Sequence, residues 1–377
     1  MSEPVRPMSP ADVARRLDSP VPPVFIVNAA LRLRRFLLRA ADAVVPAYLA
    51  VYDRFMGAAH TMLVHSAARL RIADLLLEGP LTGAELAART GSDSDVMERT
   101  MLALVSIGLF RRERDGRFAN NGVSKGLRTG ATGGVRGFAE FFGHEPVMRA
   151  WARLPQTLQD GKKGFQEVHG RHAWDWLASD VGVQAAFAEG MSSMTEVVAP
   201  AIAASYPFQD VKTVCDVGGG VGIVLAAVLR KYPHLRGILF DSESMLGQAK
   251  AYLEAAGIAD RVELVPGSFF DSVPRGADCY IIKTVLHNWE DPEVYTILRN
   301  CRAAMEPGQR LLVPDFLVVP DAFSTLVPFM DMAGLMIYSG RERSPERLAA
   351  MFAETGLKMG RIAPLPGVQA VFEAIAV

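Results

Sequence analysis

Along this chain the spacing of apolar residues changes character near Pro207. Before that point apolar positions recur at helical intervals, and after it short β-branched runs alternate with helical stretches. Thr61 to Leu77 reads as a long amphipathic helix ended by Gly79-Pro80. Thr82-Gly83-Ala84-Glu85 is a capping box opening a second helix that stops at Gly91, and a third runs from about Asp95 to Ile107 with Met97, Met101, Leu104 and Val105 on one face. Leu109 to Ala119 reads as a hairpin around Asp115-Gly116, so three helices and a wing predict a winged helix. Beyond Pro207, strands are predicted at 213–217, 237–241, 262–266, 278–284, 310–316, 358–363 and 368–376, with helices at about 223–231, 244–256, 291–305, 324–338 and 345–355. That alternation predicts a doubly wound sheet. Its last two strands are joined by Pro364-Leu365-Pro366-Gly367, too short for a helical crossover, so the seventh must run antiparallel to the sixth.

Two segments stand outside this pattern. Residues 1 to about 23 are rich in proline and polar groups and read as a flexible lead outside the core. Phe25 to Val51 is helix-prone, with Arg32, Arg34, Arg35 and Arg39 beside Leu31, Leu33, Phe36, Leu37 and Leu38, and reads as an arm packed against a partner subunit. Phe138 to Met194 carries aromatics and methionines at helical spacing, most of which fill a core. From them Phe142, Trp151, Met191 and Met194 are candidate substrate contacts, joined later in the chain by Asn288, Met332 and Met336. The division expected is a lead and helical arm over 1–55, a winged-helix domain with a helical pocket wall over 56–205, and a Rossmann-like domain over 206–377.

Composition narrows the reading. The 377 residues are half hydrophobic with a formal net charge of −1, which argues against nucleic acid as the main partner. A winged helix is nonetheless often a DNA reader, and the wing arginines Arg111, Arg112, Arg114 and Arg117 fit that role. The helix that would enter the groove does not, because Asp93, Asp95 and Glu98 face phosphate with Arg99 alone beside them. A dimerisation role is expected instead. Cys215, Cys279 and Cys301 show no paired spacing, and His144, His169 and His172 have no recurring metal-ligand spacing, so neither disulfides nor a metal is expected. The start lacks a basic-then-apolar signal design, and no uncharged run approaches the ~18 residues a membrane helix requires, so a cytoplasmic protein is expected.

The chemistry begins at Val214 to Gly222, VCDVGGGVG, where an apolar strand meets a glycine turn and a helix. Glycines permit the positive φ a tight strand-to-helix turn needs, and free N–H groups at the helix start favour polar or anionic ligands. A dinucleotide fingerprint fails: counted from Gly218 its third glycine is Ile223, and counted from Gly220 it is Leu225. The residues spell D-x-G-x-G-x-G with Asp216, Gly218, Gly220 and Gly222, which resembles the first motif of class I S-adenosylmethionine-dependent methyltransferases. Asp241, ending the next strand, is placed where a carboxylate accepts both ribose hydroxyls or caps the following helix. Lys283-Thr-Val-Leu-His287-Asn288-Trp289 follows the fourth strand at the carboxyl edge of the sheet, where open α/β folds bind ligands.

Taken together, LHNWEDPEVYTILRNCRAAMEPGQRLLV, DVGGGVG, GSFFDSVP and GRERS make the chain from about residue 50 onward similar to the small-molecule O-methyltransferases, the family of caffeic acid, acetylserotonin and bacterial polyketide O-methyltransferases. The resemblance implies an α/β, Rossmann-like seven-stranded catalytic domain behind an N-terminal domain that is all-helical but for the wing, a winged-helix dimerisation domain, working as a homodimer. It implies S-adenosylmethionine as cofactor, no metal, and methyl transfer to a phenolic or enolic hydroxyl of a secondary metabolite, or, on relatives of the same fold, hydroxylation or rearrangement with the cofactor bound. The general base of the family corresponds to His287. Two acids behind it correspond to Asp315, one methylene shorter than the usual glutamate, and Glu342. Cofactor contacts correspond to Asp216, Gly218, Gly220, Asp241, Phe269 and Lys283. The aspartate that meets the adenine amino group is replaced by Ser268, a weaker hydroxyl in place of a charge-assisted acceptor.

Overall fold

The computed structural model describes residues 9–319 and 325–377. These form two compact units, Leu38–Met194 and a second made of the N-terminal residues through Leu37 together with Thr195–Val377.

The unit Leu38–Met194 contains the winged helix. Helices Gly83–Thr90 and Ser94–Ser106 precede the hairpin of β1 (Phe110–Arg112) and β2 (Phe118–Asn120), which pair antiparallel. The capping box closes as read: Glu85 N–H donates to Thr82 Oγ1 at 3.1 Å and Thr82 N–H donates to Glu85 Oε2 at 2.7 Å. Leu86, Met101, Leu104 and Phe118 are fully buried between these elements. The long helix expected over 61–77 is instead two, Gly57–Arg69 and Ile72–Leu75, because Arg71 adopts a left-handed φ of 52°. That break turns Ile72, Ala73 and Leu76 into the same core. The wing arginines are largely spent within the unit: Arg117 pairs with Glu85, Arg112 with Glu98 and Arg111 with Glu113.

In the other unit, β3 (Thr213–Val217), β4 (Arg236–Asp241), β5 (Val262–Pro266), β6 (Cys279–Ile281), β7 (Arg310–Phe316), β8 (Leu357–Pro364) and β9 (Gln369–Ala376) make one sheet in the order β5-β4-β3-β6-β7-β9-β8. The pairs from β5 across to β7 are parallel, and β9 is antiparallel to both its neighbours. The order reverses between β3 and β6, so the loops leaving those two strands flank one crevice at the carboxyl edge. Helices cover both faces, which is why β3, β6 and β7 are buried along their length rather than alternating. All three cysteines are buried in this unit and none forms a disulfide. Among the described residues no helix is long and apolar enough to cross a membrane.

The N-terminal lead is not outside the core. Ser9 caps a helix, α1 (Pro10–Leu17), whose Val13 and Leu17 are 0% and 5% exposed and belong to the same core as Ile202, Leu246, Ala249 and Leu253. Proline at the first helical position and arginines at the end suit a short helix, and the Val13–Leu17 spacing of four puts both apolar side chains on one face. Proline content obscured that signal. Residues 1–8 of the expected lead, and residue 324 of the expected helix over 324–338, lie outside the described residues. Leu17→Ala should lower unfolding free energy by about 2 kcal/mol in a denaturant titration; an unchanged midpoint would mean that α1 does not dock.

Candidate active site

The glycine turn after β3 is built by backbone geometry that only glycine adopts easily. Gly218, Gly220 and Gly222 have φ of 67°, 59° and 83°. Gly218 N–H donates to Phe240 O at 2.8 Å, and Gly220 N–H donates to Asp241 Oδ2 at 2.9 Å, tying the turn to the end of β4. A Cβ on Gly218 would stand 3.2 Å from Val285 and 3.4 Å from the Phe269 ring, so the turn, the Phe269 ring and the histidine loop meet at this point. Asp216, 1% exposed, presses against Gly219, and its Oδ2 has no hydrogen-bond partner. Burial, only partly offset by a backbone hydrogen bond from Leu225 and the charge of Lys283, pushes its carboxyl up to about 7.

Phe269 and Phe270 lie 4.9 Å apart, and Trp289 sets its edge against Phe270 at 4.8 Å. Ser268 Oγ accepts from Phe270 N–H at 3.2 Å. Asn300, which the motifs did not flag, donates from one amide to both Phe269 O and Phe270 O at 2.9 and 2.8 Å and so holds this shelf in place.

Lys283, just past β6, donates from Nζ to Thr195 Oγ1 and Thr284 Oγ1 at 3.1 and 3.0 Å. Burial pulls its ammonium down to about 8, against the charges of Asp315 and Asp216. Thr284 carries a left-handed φ of 46°, costly for a β-branched residue, and is held there by its N–H on Pro314 O and its carbonyl on Asn288 Nδ2. That bend aims the short 3₁₀ turn Leu286–Asn288.

His287 sits on that turn with its side chain 17% exposed. Its Nδ1 is 2.8 Å from Glu342 Oε1 and 3.7 Å from Asp315 Oδ1. The two acids are therefore unequal. Glu342 makes the hydrogen bond, whereas the shorter Asp315 side chain also accepts from the Phe316 N–H at 2.9 Å and acts on the ring by charge. Burial alone would lower the imidazole pKa and Lys283 adds to that, yet Asp315 and Glu342 together raise it above the usual 6.5. Burial likewise pushes the Glu342 carboxyl up, against the hydrogen bond and charge of His287, so the two groups titrate together. Among the described residues Nε2 makes no hydrogen bond.

The two loops are locked by Arg343, which sequence reasoning passed over although it adjoins Glu342 in the GRERS run. It is 5% exposed, donating to Leu286 O at 2.9 Å, to Trp289 O at 2.7 Å and to Asp291 Oδ1 at 2.9 and 2.8 Å. Those carbonyls bracket His287. Gly340 is required by close approach, since a Cβ there would fall 2.0 Å from His287 O. Asp331 accepts from the Glu342 N–H at 2.8 Å.

The substrate candidates are scattered in character. Asn288 is occupied within its own loop, Met332 is half-buried, and Met336 is fully buried in a π-helical turn, Gly334–Tyr338. In the other unit Phe142 and Trp151 are half-buried, Phe142 lies 5.3 Å from Phe141, Met191 is half-buried and Met194 is exposed. His287, Asp315 and Glu342 do bring one potential metal-ligating atom each within 4.8 Å of one another. Within that group Nδ1 and Glu342 Oε1 are at hydrogen-bond distance, 2.8 Å. Arg343→Ala should lower turnover at least tenfold by freeing both loops, and Gly340→Ala should do the same while shifting His287. Steady-state kinetics with a melting curve check both, and full activity in either would show that the loops hold without these residues.

Residues 52–130 match the O-methyltransferase dimerisation domain and residues 151–358 the O-methyltransferase domain. The mitomycin biosynthesis 6-O-methyltransferase of Streptomyces lavendulae is 36% identical over 316 residues, 83% of this chain and 90% of that protein. Aclacinomycin 10-hydroxylase RdmB of Streptomyces purpurascens is 33% identical over 79% of this chain and 81% of its own. Among solved structures, mitomycin 7-O-methyltransferase MmcR superposes with a TM-score of 0.83 at 34% identity, over 90% of this chain and 100% of that one. NcsB1, an O-methyltransferase from neocarzinostatin biosynthesis bound to S-adenosylmethionine and 2-hydroxy-5-methyl naphthoic acid, gives 0.74 at 31% identity over 85% and 96%. With a matching catalytic domain over more than half its length behind a matching dimerisation domain, this chain belongs to the O-methyltransferase family.

Proposed function

We propose that this enzyme, a cytoplasmic homodimer, moves a methyl group from S-adenosylmethionine to a phenolic or enolic hydroxyl of a small aromatic secondary metabolite, with His287 as general base. The observation that carries the reading is the one-sided anchoring of His287: both carboxylates face Nδ1, which leaves Nε2 for an acceptor hydroxyl. The residues at the crevice also suit the cofactor. Asp241 is set for ribose hydroxyls, Phe269 for the adenine face, and the orphaned Asp216 oxygen with Lys283 for the charged amino-acid end. Ser268, whose oxygen already serves the Phe270 N–H, has less capacity left for adenine than a carboxylate has. When bound, the cofactor supplies an electrophilic methyl group on a sulfonium.

A phenol has a pKa near 10, so its proton must leave as the oxygen attacks, and an imidazole held near neutrality is suited to take it. His287 Nε2 accepts that proton. Glu342 fixes the ring and its tautomer through Nδ1, and Asp315 stabilises the imidazolium as it forms. Much of the remaining rate comes from holding the acceptor in line with the methyl, which is a matter of orientation rather than of further chemistry.

A second reading rests on the 10-hydroxylase relative, which shares the fold and most of this chain's length. On it, the same crevice binds the cofactor and acts on the substrate without losing its methyl group. Product mass and S-adenosylhomocysteine formation separate the two: equimolar methylated product and S-adenosylhomocysteine support transfer, and turnover with neither rules it out.

Mutation of the base gives the sharper test. His287→Ala should keep cofactor affinity, measured by calorimetry, while turnover falls about 10²–10⁴-fold. Loss of less than tenfold would assign the rate to positioning alone. The acid limb follows the folded-state pKa of His287, because the protonated ring cannot accept; with that pKa raised, kcat/KM should fall off above pH 6.5 as pH drops. Asp315→Asn removes a raising charge, so its limb should move to lower pH, and a limb that stays or moves upward would contradict the assignment.

A further inference from the structure

Helix α1 joins the sheet-containing unit at a place that bears on Lys283. Arg16 is 7% exposed and pairs through Nη1 with Oε2 of Glu196, itself 2% exposed, on the helix Val181–Ser205. Burial pushes the Glu196 carboxyl up, so without Arg16 that group would stand desolvated and uncompensated. The next residue back, Thr195, accepts from Lys283 Nζ. Adjacent side chains on a helix point about 100° apart, so one turn of this helix faces α1 through Glu196 and Lys283 through Thr195. A further pair, Arg230 with Asp18, fixes the end of α1 to the helix Ile223–Lys231 that leaves the glycine turn.

We propose that α1 is a positioning element of the cofactor site: Arg16 holds Glu196, and through it the Thr195 hydroxyl is kept on Lys283. This rests on the reading of Lys283 as a cofactor-facing residue. Among the described residues the ammonium has two hydroxyl acceptors at hydrogen-bond distance and depends on both for its direction, and Thr284 is already committed by its strained backbone. Thr195 is therefore the acceptor that a distant segment can control. The ten residues that open the described chain thus belong to the binding machinery, and shifting α1 alters the grip on cofactor without touching it.

The test is calorimetry of S-adenosylhomocysteine on the full-length protein, with Arg16→Met, Thr195→Val and the double variant. Each single change should raise Kd about fivefold, the value of one ordinary hydrogen bond. Because both act on one chain of contacts, the double variant should be scarcely weaker than either alone. Thr195→Ser should restore wild-type affinity, and Arg16→Met/Glu196→Leu, which replaces the ion pair by apolar packing, should recover most of what Arg16→Met loses. Melting curves establish that each variant is folded at the assay temperature. Unchanged Kd in the single variants, or losses that multiply in the double variant, would overturn the proposal. Failure of the wild type itself to bind would instead remove the cofactor reading on which it stands.

Discussion

The site depends on one contact between two loops, His287 Nδ1 to Glu342 Oε1 at 2.8 Å. The residues are 55 apart in sequence and leave different elements, so neither strand places the contact directly. Arg343 closes the gap by donating to carbonyls on either side of His287, and Gly340 permits the backbones to meet. A buried guanidinium is stable there because it is fully occupied: carbonyls take part of its fork and Asp291 the rest. The orientation of the His287 ring is thus a property of a loop pair, not of a histidine in isolation.

Charge is arranged along the carboxyl edge of the sheet in a graded way. Asp216 is raised to about 7 and Lys283 lowered to about 8, each pulled toward neutrality by burial. The charge of Asp315 acts on both Lys283 and His287, favouring the charged form of each. Among the described residues the buried Asp216 Oδ2 has no hydrogen-bond partner.

Much of this architecture was legible because parallel strands buried on both faces leave unbroken apolar runs, and glycine turns leave a fixed spacing. β3, β5 and β7 fall at the expected residues, and the antiparallel last strand followed from the length of a four-residue link. Other features left weaker traces. The break at Arg71 needs a left-handed non-glycine residue, which no local pattern announces. Helix α1 is eight residues among prolines, and its burial is decided by a core whose other members lie far along the chain. Arg343 and Asn300 read as ordinary polar residues until the carbonyls they hold are brought to them by folding. The inequality of Asp315 and Glu342 is likewise a matter of one methylene and of the Phe316 N–H that competes for the shorter carboxylate.

Aromatic and methionine side chains serve equally as core and as pocket wall, so composition does not separate the two. The chemistry, by contrast, turns on the state of a single ring. Nitrogen-15 NMR of histidine-labelled protein, with His287 assigned by its loss in His287→Gln, reads that state directly. The account requires the neutral ring to carry its proton on Nδ1, with Nε2 unprotonated and a pKa above 6.5. A proton on Nε2 in the neutral ring, or a pKa below 6.5, would contradict it.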